Sequence, residues 1–264
     1  MKIKNISLTL ILLFCILLNP LYSQDDIVVL QVNESFPVWS KSLPSGGMGS
    51  EIIQAISKEE NIKTQIQFVP LKRLIADTTN NDIGNPLFYM PNQEFLQIIP
   101  IAVSYNILLS YRNDVNNILE NKRKEQLRVG ILKGTKSNIN LSNKFVHFEE
   151  SAYNDSLLKK LIANRLDLVL KLDLAGRTIM HNNHNINAKL LDNSASPIAI
   201  LLDINYPNAK EIALKYKNGL NKIIENGIYK KILQKYYKTD IPGQWFNDLK
   251  KFTYIYTIDT EDNY

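Results

Sequence analysis

Arg73 stands three residues past Pro70. Its guanidinium offers a planar fork of donors that suits a carboxylate or a phosphate. A solvated arginine, or one paired to a neighbouring acid, would look the same in sequence. Phe36 and Trp39 flank Pro37 in one short loop. A ring exposed there can stack on a planar or cationic solute, worth about 0.5–2 kcal/mol for a cation–π contact; a ring turned inward is core. Polar Ser40 and Lys41 beside Trp39 make it the better stacking candidate. Gly134 and Thr135 open a predicted helix, as does Ser50, and free N–H groups there favour an anion by about 0.3–1 kcal/mol each. Ordinary capping is the simpler reading of Ser50. Asn85, between Gly84 and Pro86, can donate and accept, or simply turn the chain. Glu34 and Asp173 can each receive an ammonium group, although Asp173 also suits an N-cap for a helix from Leu174. Three histidines, His147, His181 and His184, have no acid close enough in sequence to complete a metal set. No G-x-S-x-G segment occurs, and Cys15 is the only cysteine.

Cys15 belongs to a leader. Lys2 and Lys4 precede an apolar run, Leu8 to Leu18, that Asn19-Pro20 ends. At about a dozen residues it is short for a ~30 Å hydrocarbon core. Residues 1–23 are read as a secretory signal peptide cut after Ser23. Phe14 before Cys15 does not fit a lipid-anchor signal, and the mature chain has no thiol to oxidise. The 31 basic residues lose two with the leader and stand against 26 acidic ones, so the net charge falls from +5 to +3. The lysines are scattered, which does not match a nucleic-acid footprint.

The elements that must position these side chains alternate. Ile27–Val32, Ile66–Val69 and Ile83–Tyr89 read as strands. Between them lie a helix from Glu51 to about Glu60 and a short one over Leu71–Thr79. Ile98–Tyr111 is long enough to be one strand that crosses to a second unit. There, Leu127–Leu132, Lys144–Phe148, Leu166–Leu170 and Ala188–Leu191 read as strands, with helices over Tyr153–Ala163 and Leu174–His181. Pro197–Leu202 returns to the first unit. Apolar residues from Ala209 to Ile224 recur at steps of three and four, Gly227 ends or bends that helix, and a second helix runs to Tyr236. The tail from Asp240 to Tyr264 is rich in aromatics and is expected to pack onto the body.

Strands alternating with helices predict parallel sheets covered on both faces. The fold expected is two α/β lobes joined by two crossover segments, with a cleft between them near the carboxyl ends of the strands. Residues 24–108 and 196–239 form lobe 1, 109–195 lobe 2, and 240–264 a C-terminal extension. Hinge segments are expected near Tyr105–Tyr111 and Pro197–Asp203.

Several short segments, in this order, are similar to the type 2 periplasmic binding proteins of extracellular solute-binding family 3. Glu34-Ser-Phe-Pro37 resembles that family's first ligand loop, and Gly46-Gly-Met-Gly49-Ser50 its glycine turn. Phe68-Val-Pro-Leu-Lys-Arg73, Arg128-Val-Gly-Ile-Leu-Lys-Gly134-Thr135 and Leu161-Ile-Ala-Asn-Arg165-Leu-Asp167 resemble three further segments, and Gly219 to Tyr237 the terminal helices. Two departures stand out. The family's polar amino-acid binders carry an arginine after the third strand for the α-carboxylate, and Asn85 to Glu94 holds none. They place a carboxylate for the α-ammonium where this chain has Leu172, with Asp173 one further on.

The resemblance implies a periplasmic, monomeric, non-enzymatic protein without a cofactor. It would capture a small polar solute, amino-acid-like or another small anion, and pass it to the permease of an inner-membrane ABC transporter. Two other functions fit the same fold: a sensory module reporting to a membrane receptor, and a periplasmic dehydratase acting on a cyclohexadienyl acid. The latter needs an acid of raised pKa in the cleft, for which Glu34 and Asp173 are the candidates.

Overall fold

The computed structural model describes residues 27–70, 73–74, 82–84, 96–133, 147–238 and 241–256. Among the described residues, ten strands form two five-stranded sheets. The first holds β1 (Val28–Val32), β2 (Thr64–Phe68), β3 (Asp82–Gly84), β4 (Leu96–Ser104) and β10 (Ser196–Asp203) in the order β2-β1-β3-β10-β4. The second holds β5 (Asn106–Tyr111), β6 (Arg128–Leu132), β7 (His147–Ser151), β8 (Leu168–Leu172) and β9 (Ile186–Leu190) in the order β7-β6-β8-β5-β9. Neither sheet is all parallel. β1 runs parallel to β2 and β3, and β6 to β7 and β8, but β10 and β5 run antiparallel to their neighbours. The antiparallel members come from the chain crossing over and back, a direction that hydrophobic patterning does not encode.

The expected single strand over 98–111 is two strands. The chain changes sheets at Tyr105, so β5, from Asn106, belongs wholly to the second sheet. Residues 191–195 make the return. The crossovers lie side by side. Leu191 N–H donates to Asn106 O (2.9 Å), Asn106 N–H to Ser194 Oγ (3.0 Å), and Ser104 Oγ to Ser196 O (3.3 Å).

Helix α1 (Met48–Glu60) starts three residues before the expected position. Gly47 supplies the turn, with φ 103° and Val38 O only 2.4 Å from where a Cβ would sit. Ser50 is therefore inside the first turn and buried, its Oγ donating to Gly46 O (3.0 Å) rather than capping a free N–H. Residues 73–74 are helical, while the rest of the 71–79 prediction and residues 85–89 of the third strand lie outside the described residues. In the second lobe, α2 (Val115–Asn121) is capped by Asp114, α3 spans Asn154–Ile162, and α4 spans Asp173–Asn182.

After β10 the described residues form three helices: α5 (Ala209–Glu225), α6 (Ile228–Tyr237) and α7 (Trp245–Ile255). Gly227, at φ 78°, separates the first two. The main core is built from β1, β4, β10, α1, α5, α6 and α7, and it takes in Leu174 at the start of α4. Two smaller cores cover opposite faces of the second sheet.

Candidate binding site

In sheets of this kind a ligand sits beyond the carboxyl ends of the parallel strands, where loops diverge. Val32 of β1 lies beside Phe68 of β2, and Leu132 of β6 beside Ser151 of β7. The side chains leaving those ends are the candidates for ligand contact.

After β1 the chain makes a tight loop in which Ser35 and Trp39 exchange backbone hydrogen bonds of 2.8 and 2.9 Å. Pro37 and Val38 offer their carbonyls to the N–H groups of Met48 and Gly49 (3.2 and 2.9 Å), so the loop is seated on the start of α1. Trp39 is 5% exposed, and its indole covers Gly49: a Cβ there would meet Trp39 Cη2 at 2.2 Å. The ring expected to stack on a solute is thus core, held by the one residue type that lets it approach. Phe36 is 49% exposed at the loop's tip. Glu34 is exposed as well, and Ser40 Oγ donates to its Oε1 at 3.4 Å.

Beyond β2, Arg73 begins a helical turn on Pro70 O, exposed and with no carboxylate paired to it among the described residues. Asn85, Gly134 and Thr135 lie outside the described residues. Lys133, the last described residue after β6, is exposed.

The end of β8 differs most from expectation. Leu172 is its last residue and is 42% exposed. It sits across from Asn106, the first residue after the crossover at Tyr105, and so at the junction of the two lobes. Asp173 does not cap; it is the first residue of α4 and is 1% exposed. Its Oδ1 accepts from Arg177 Nε at 2.7 Å, while Oδ2 is buried with no hydrogen-bond partner among the described residues. Burial raises its pKa, against the pull of Arg177 and of the Tyr237 phenol. That raised pKa is what an acid catalyst requires, but the group faces inward and is bound to Arg177. Lys171 is also turned in, and burial lowers its amine to about 8, with Asp155 offsetting part of the drop.

Asp173 and Arg177 abut the C-terminal helices at an aromatic cluster. Tyr105 ties the junction at two points: its carbonyl accepts from Asp173 N (2.8 Å), and its phenol donates to Asp248 Oδ2 (2.7 Å). The ring centroids of Tyr105 and Tyr237 lie 5.8 and 5.5 Å from that of the fully buried Trp245. Arg177 stands 5.7 Å over the Tyr237 ring. Burial first, then nearby carboxylates, push the Tyr105 and Tyr237 phenols well above the usual range, so both stay neutral.

Residues 161–167 show a different role from ligand contact. Asp167 binds Arg128 through its backbone N–H (3.0 Å) and guanidinium (3.0 Å), and Lys122 (2.7 Å). Burial would raise its pKa, yet these donors hold it at about 2. It stitches α2, β6 and β8 together. A groove of about 740 Å³ between α1 and β2, and one of about 580 Å³ along α3, each draw their walls from one lobe only. Among the described residues no group of His, Cys, Asp or Glu could hold a metal ion, and no helix is long and apolar enough to cross a membrane.

No protein-family model matches the chain, and no curated protein matches it in sequence. Solved structures do match. The arginine-, lysine-, histidine-binding protein of Geobacillus stearothermophilus superposes with a TM-score of 0.60 at 13% identity, over 85% of this chain and 100% of that one. A ligand-binding core from Nostoc punctiforme in complex with L-glutamate gives 0.59 at 14%, over 80% of this chain and 100% of that one. A histidine kinase sensor domain similar to periplasmic binding proteins gives 0.60 at 12%, over 80% and 95%. The chain has the fold of the type 2 periplasmic binding proteins: two α/β lobes joined by two crossovers.

Proposed function

We propose that this chain is an extracytoplasmic solute-binding protein. It is exported by the leader at residues 1–23, traps a small polar solute between its lobes, and delivers it to an inner-membrane ABC transporter. The observation that carries this reading is the pair of adjacent crossovers at Tyr105 and 191–195. Two lobes whose chain connections lie side by side can hinge about them, and a solute touching both is held fully only when they close, which is what lets it shift the open–closed balance. Phe36, Glu34 and Arg73 serve from lobe 1. Lys133 serves from lobe 2, and the sequence candidates Asn85, Gly134 and Thr135, which lie outside the described residues, are proposed to contribute with them. Binding needs no reaction and no cofactor, in keeping with the binding proteins that share the fold. A solved kinase sensor domain of the same fold supports a second reading, in which the closed form signals to a receptor. Growth on the solute after deletion of the gene separates them: transport predicts lost uptake, sensing predicts intact uptake with lost induction.

The direct test is a thermal-shift screen of residues 24–264, refolded to strip any carried ligand, against amino acids, small carboxylates, polyamines and sugars. A solute at 100 times its Kd adds about 2.7 kcal/mol, or roughly 5–10 °C in Tm for a chain of this size. Loss of that shift in Arg73→Ala and Phe36→Ser supports the site. A shift identical in both variants moves the solute elsewhere, and silence across the panel rejects the function.

A further inference from the structure

We infer that a contact beyond the two crossovers couples the lobes: Arg177, on helix α4 of lobe 2, grips Tyr237 of lobe 1, and this grip sets the lobe angle of the solute-free protein. The inference takes from the proposed function its two hinged lobes and needs no solute. α4 moves with lobe 2. It packs on β5, β8 and β9, so closely that a Cβ on Gly176 would meet Ile107 Cδ1 at 3.1 Å. Two of its side chains nevertheless reach lobe 1. Leu174 is 4% exposed within the main core, and Arg177 Cζ stands 5.7 Å over the Tyr237 ring of α6. Tyr237 is equally fixed on its own side. Its ring meets that of Trp245 edge-on at 5.5 Å, and Trp245 is fully buried on α7, which lies against β4. Each partner is thus packed into its own lobe, so a change of lobe angle is taken up at the contact between them.

The buried carboxylate of Asp173 has a role in this arrangement. Its bond from Arg177 Nε (2.7 Å) lies within one helix and cannot by itself join two lobes. What it does is hold the guanidinium over the Tyr237 ring, where an Arg177 side chain only 22% exposed makes the cation–π contact stronger than it would be in open water. Asp173 is therefore a positioning residue for the grip. It is also tied to the crossover, since its N–H donates to Tyr105 O at 2.8 Å. Arg177 lies one helical turn further on, about 6 Å along the axis. Rotating lobe 2 by about 20° about the crossovers carries Arg177 by up to about 2 Å. A separation of 5.7 Å is already near the roughly 6 Å reach of a cation–π contact, so a rotation in the parting direction abolishes it. The lobe angle at which the pair meets is favoured over others, and the solute-free chain samples a narrower range of angles than its crossovers alone would allow.

The experiment is double electron–electron resonance on residues 24–264, refolded and free of solute. That stretch has no cysteine, so Lys58→Cys on α1 and Lys159→Cys on α3, both exposed, place one nitroxide on each lobe. The distance distribution is expected to be narrow with Arg177 in place. Arg177→Met should broaden it by about twofold or displace its maximum, and Asp173→Asn should do the same more weakly. Arg177→Lys, which keeps the charge but not the planar fork, should fall between. Circular dichroism spectra should stay unchanged throughout. A pair that merely stabilises the fold would lower the urea midpoint and leave the interlobe distances of the folded protein as they were; that result overturns the inference. So does a distribution with Arg177 in place that is already as broad as in the variants. Should Arg177→Met fail to fold, the milder Arg177→Lys decides in the same two ways. Broadened variants with a silent thermal-shift panel reject solute binding and leave the grip standing, whereas unchanged distances with a positive panel reject the grip alone.

Discussion

Gly49→Ala puts one methyl group where the loop that presents Phe36 is anchored. Two effects oppose each other. In a helix interior, alanine is better than glycine by about 0.8–1 kcal/mol, and Gly49 is the second residue of α1. Against this, the added Cβ would lie 2.2, 2.4 and 2.5 Å from three carbons of the Trp39 ring. Normal carbon contacts are about 3.5–4.0 Å, so the indole must retreat by more than an ångström. It has little room, being 5% exposed and part of the main core. Overpacking of this kind costs about 1–3 kcal/mol or more, so the clash wins. We expect net destabilisation of about 1–2 kcal/mol by urea unfolding. The same substitution made in Trp39→Leu should be neutral or stabilising by up to about 1 kcal/mol, because the obstructing ring atoms are gone. The sign change, a coupling of about 2 kcal/mol, is the diagnostic quantity in a double-mutant cycle. Solute affinity should fall with it, since Phe36 rides on the same loop. An equal effect of Gly49→Ala in both backgrounds would refute the packing of Trp39 described above.

Three other expectations can be checked by stability measurements. Tyr105→Phe removes a donor to the Asp248 carboxylate, a charged hydrogen bond of 2.7 Å next to a buried ring; a loss of about 1.5 kcal/mol is expected, and little further loss in an Asp248→Ala background, which has no acceptor there. Asp167 has its pKa held near 2 in the folded chain, below the unfolded value of 3.8. Its contribution is complete above about pH 4 and disappears as pH falls towards 2, so Asp167→Asn should flatten the acid limb of the stability curve by about 1 kcal/mol once solvent screening is allowed for. Lys171 titrates near 8 in the fold against 10.5 unfolded. The folded state is penalised while the amine is charged, and stability rises as pH climbs from about 8 to 10.5. Lys171→Met should therefore raise Tm at pH 7 by a few degrees, a gain that shrinks by pH 10.5.

Much of the architecture could be read from apolar periodicity, because burying one face is what sets both strand and helix patterns. The α5–Gly227–α6 pair follows its 3–4 spacing closely. Strand direction and sheet membership were not readable. Ser104-Tyr105-Asn106 contains neither Gly nor Pro, and the residue at the break is held by its phenol on Asp248, 143 residues away, a contact no local pattern encodes. The aromatic tail was expected to pack back, and it does, but as a helix whose Trp245 fills the main core. α2 was missed because Val115-Asn-Asn-Ile-Leu-Glu-Asn121 is poor in helix formers and buries only Val115 fully; the one readable cue was Asp114, which caps Asn116 and Asn117.

The site was less legible than the fold for one recurring reason: which way a side chain faces depends on register. Leu166, Leu168, Leu170, Leu172 and Leu174 alternate without interruption, so the sequence gives no sign of where strand passes into helix. In the structure β8 runs on to Leu172, and the helix begins at Asp173. A one-residue slip would exchange a leucine for an aspartate at the lobe junction. Trp39 was misjudged through its neighbours in the same way. Ser40 beside it is polar but buried, its hydroxyl 2.8 Å from that of Ser42, so a polar flank did not mean an exposed ring. Phe36, two residues before a buried valine, was the ring left in solvent. Composition told that this loop carries aromatics; Gly49, by admitting the Trp39 indole against the helix, marks which ring is buried, and Phe36 is the one left in solvent.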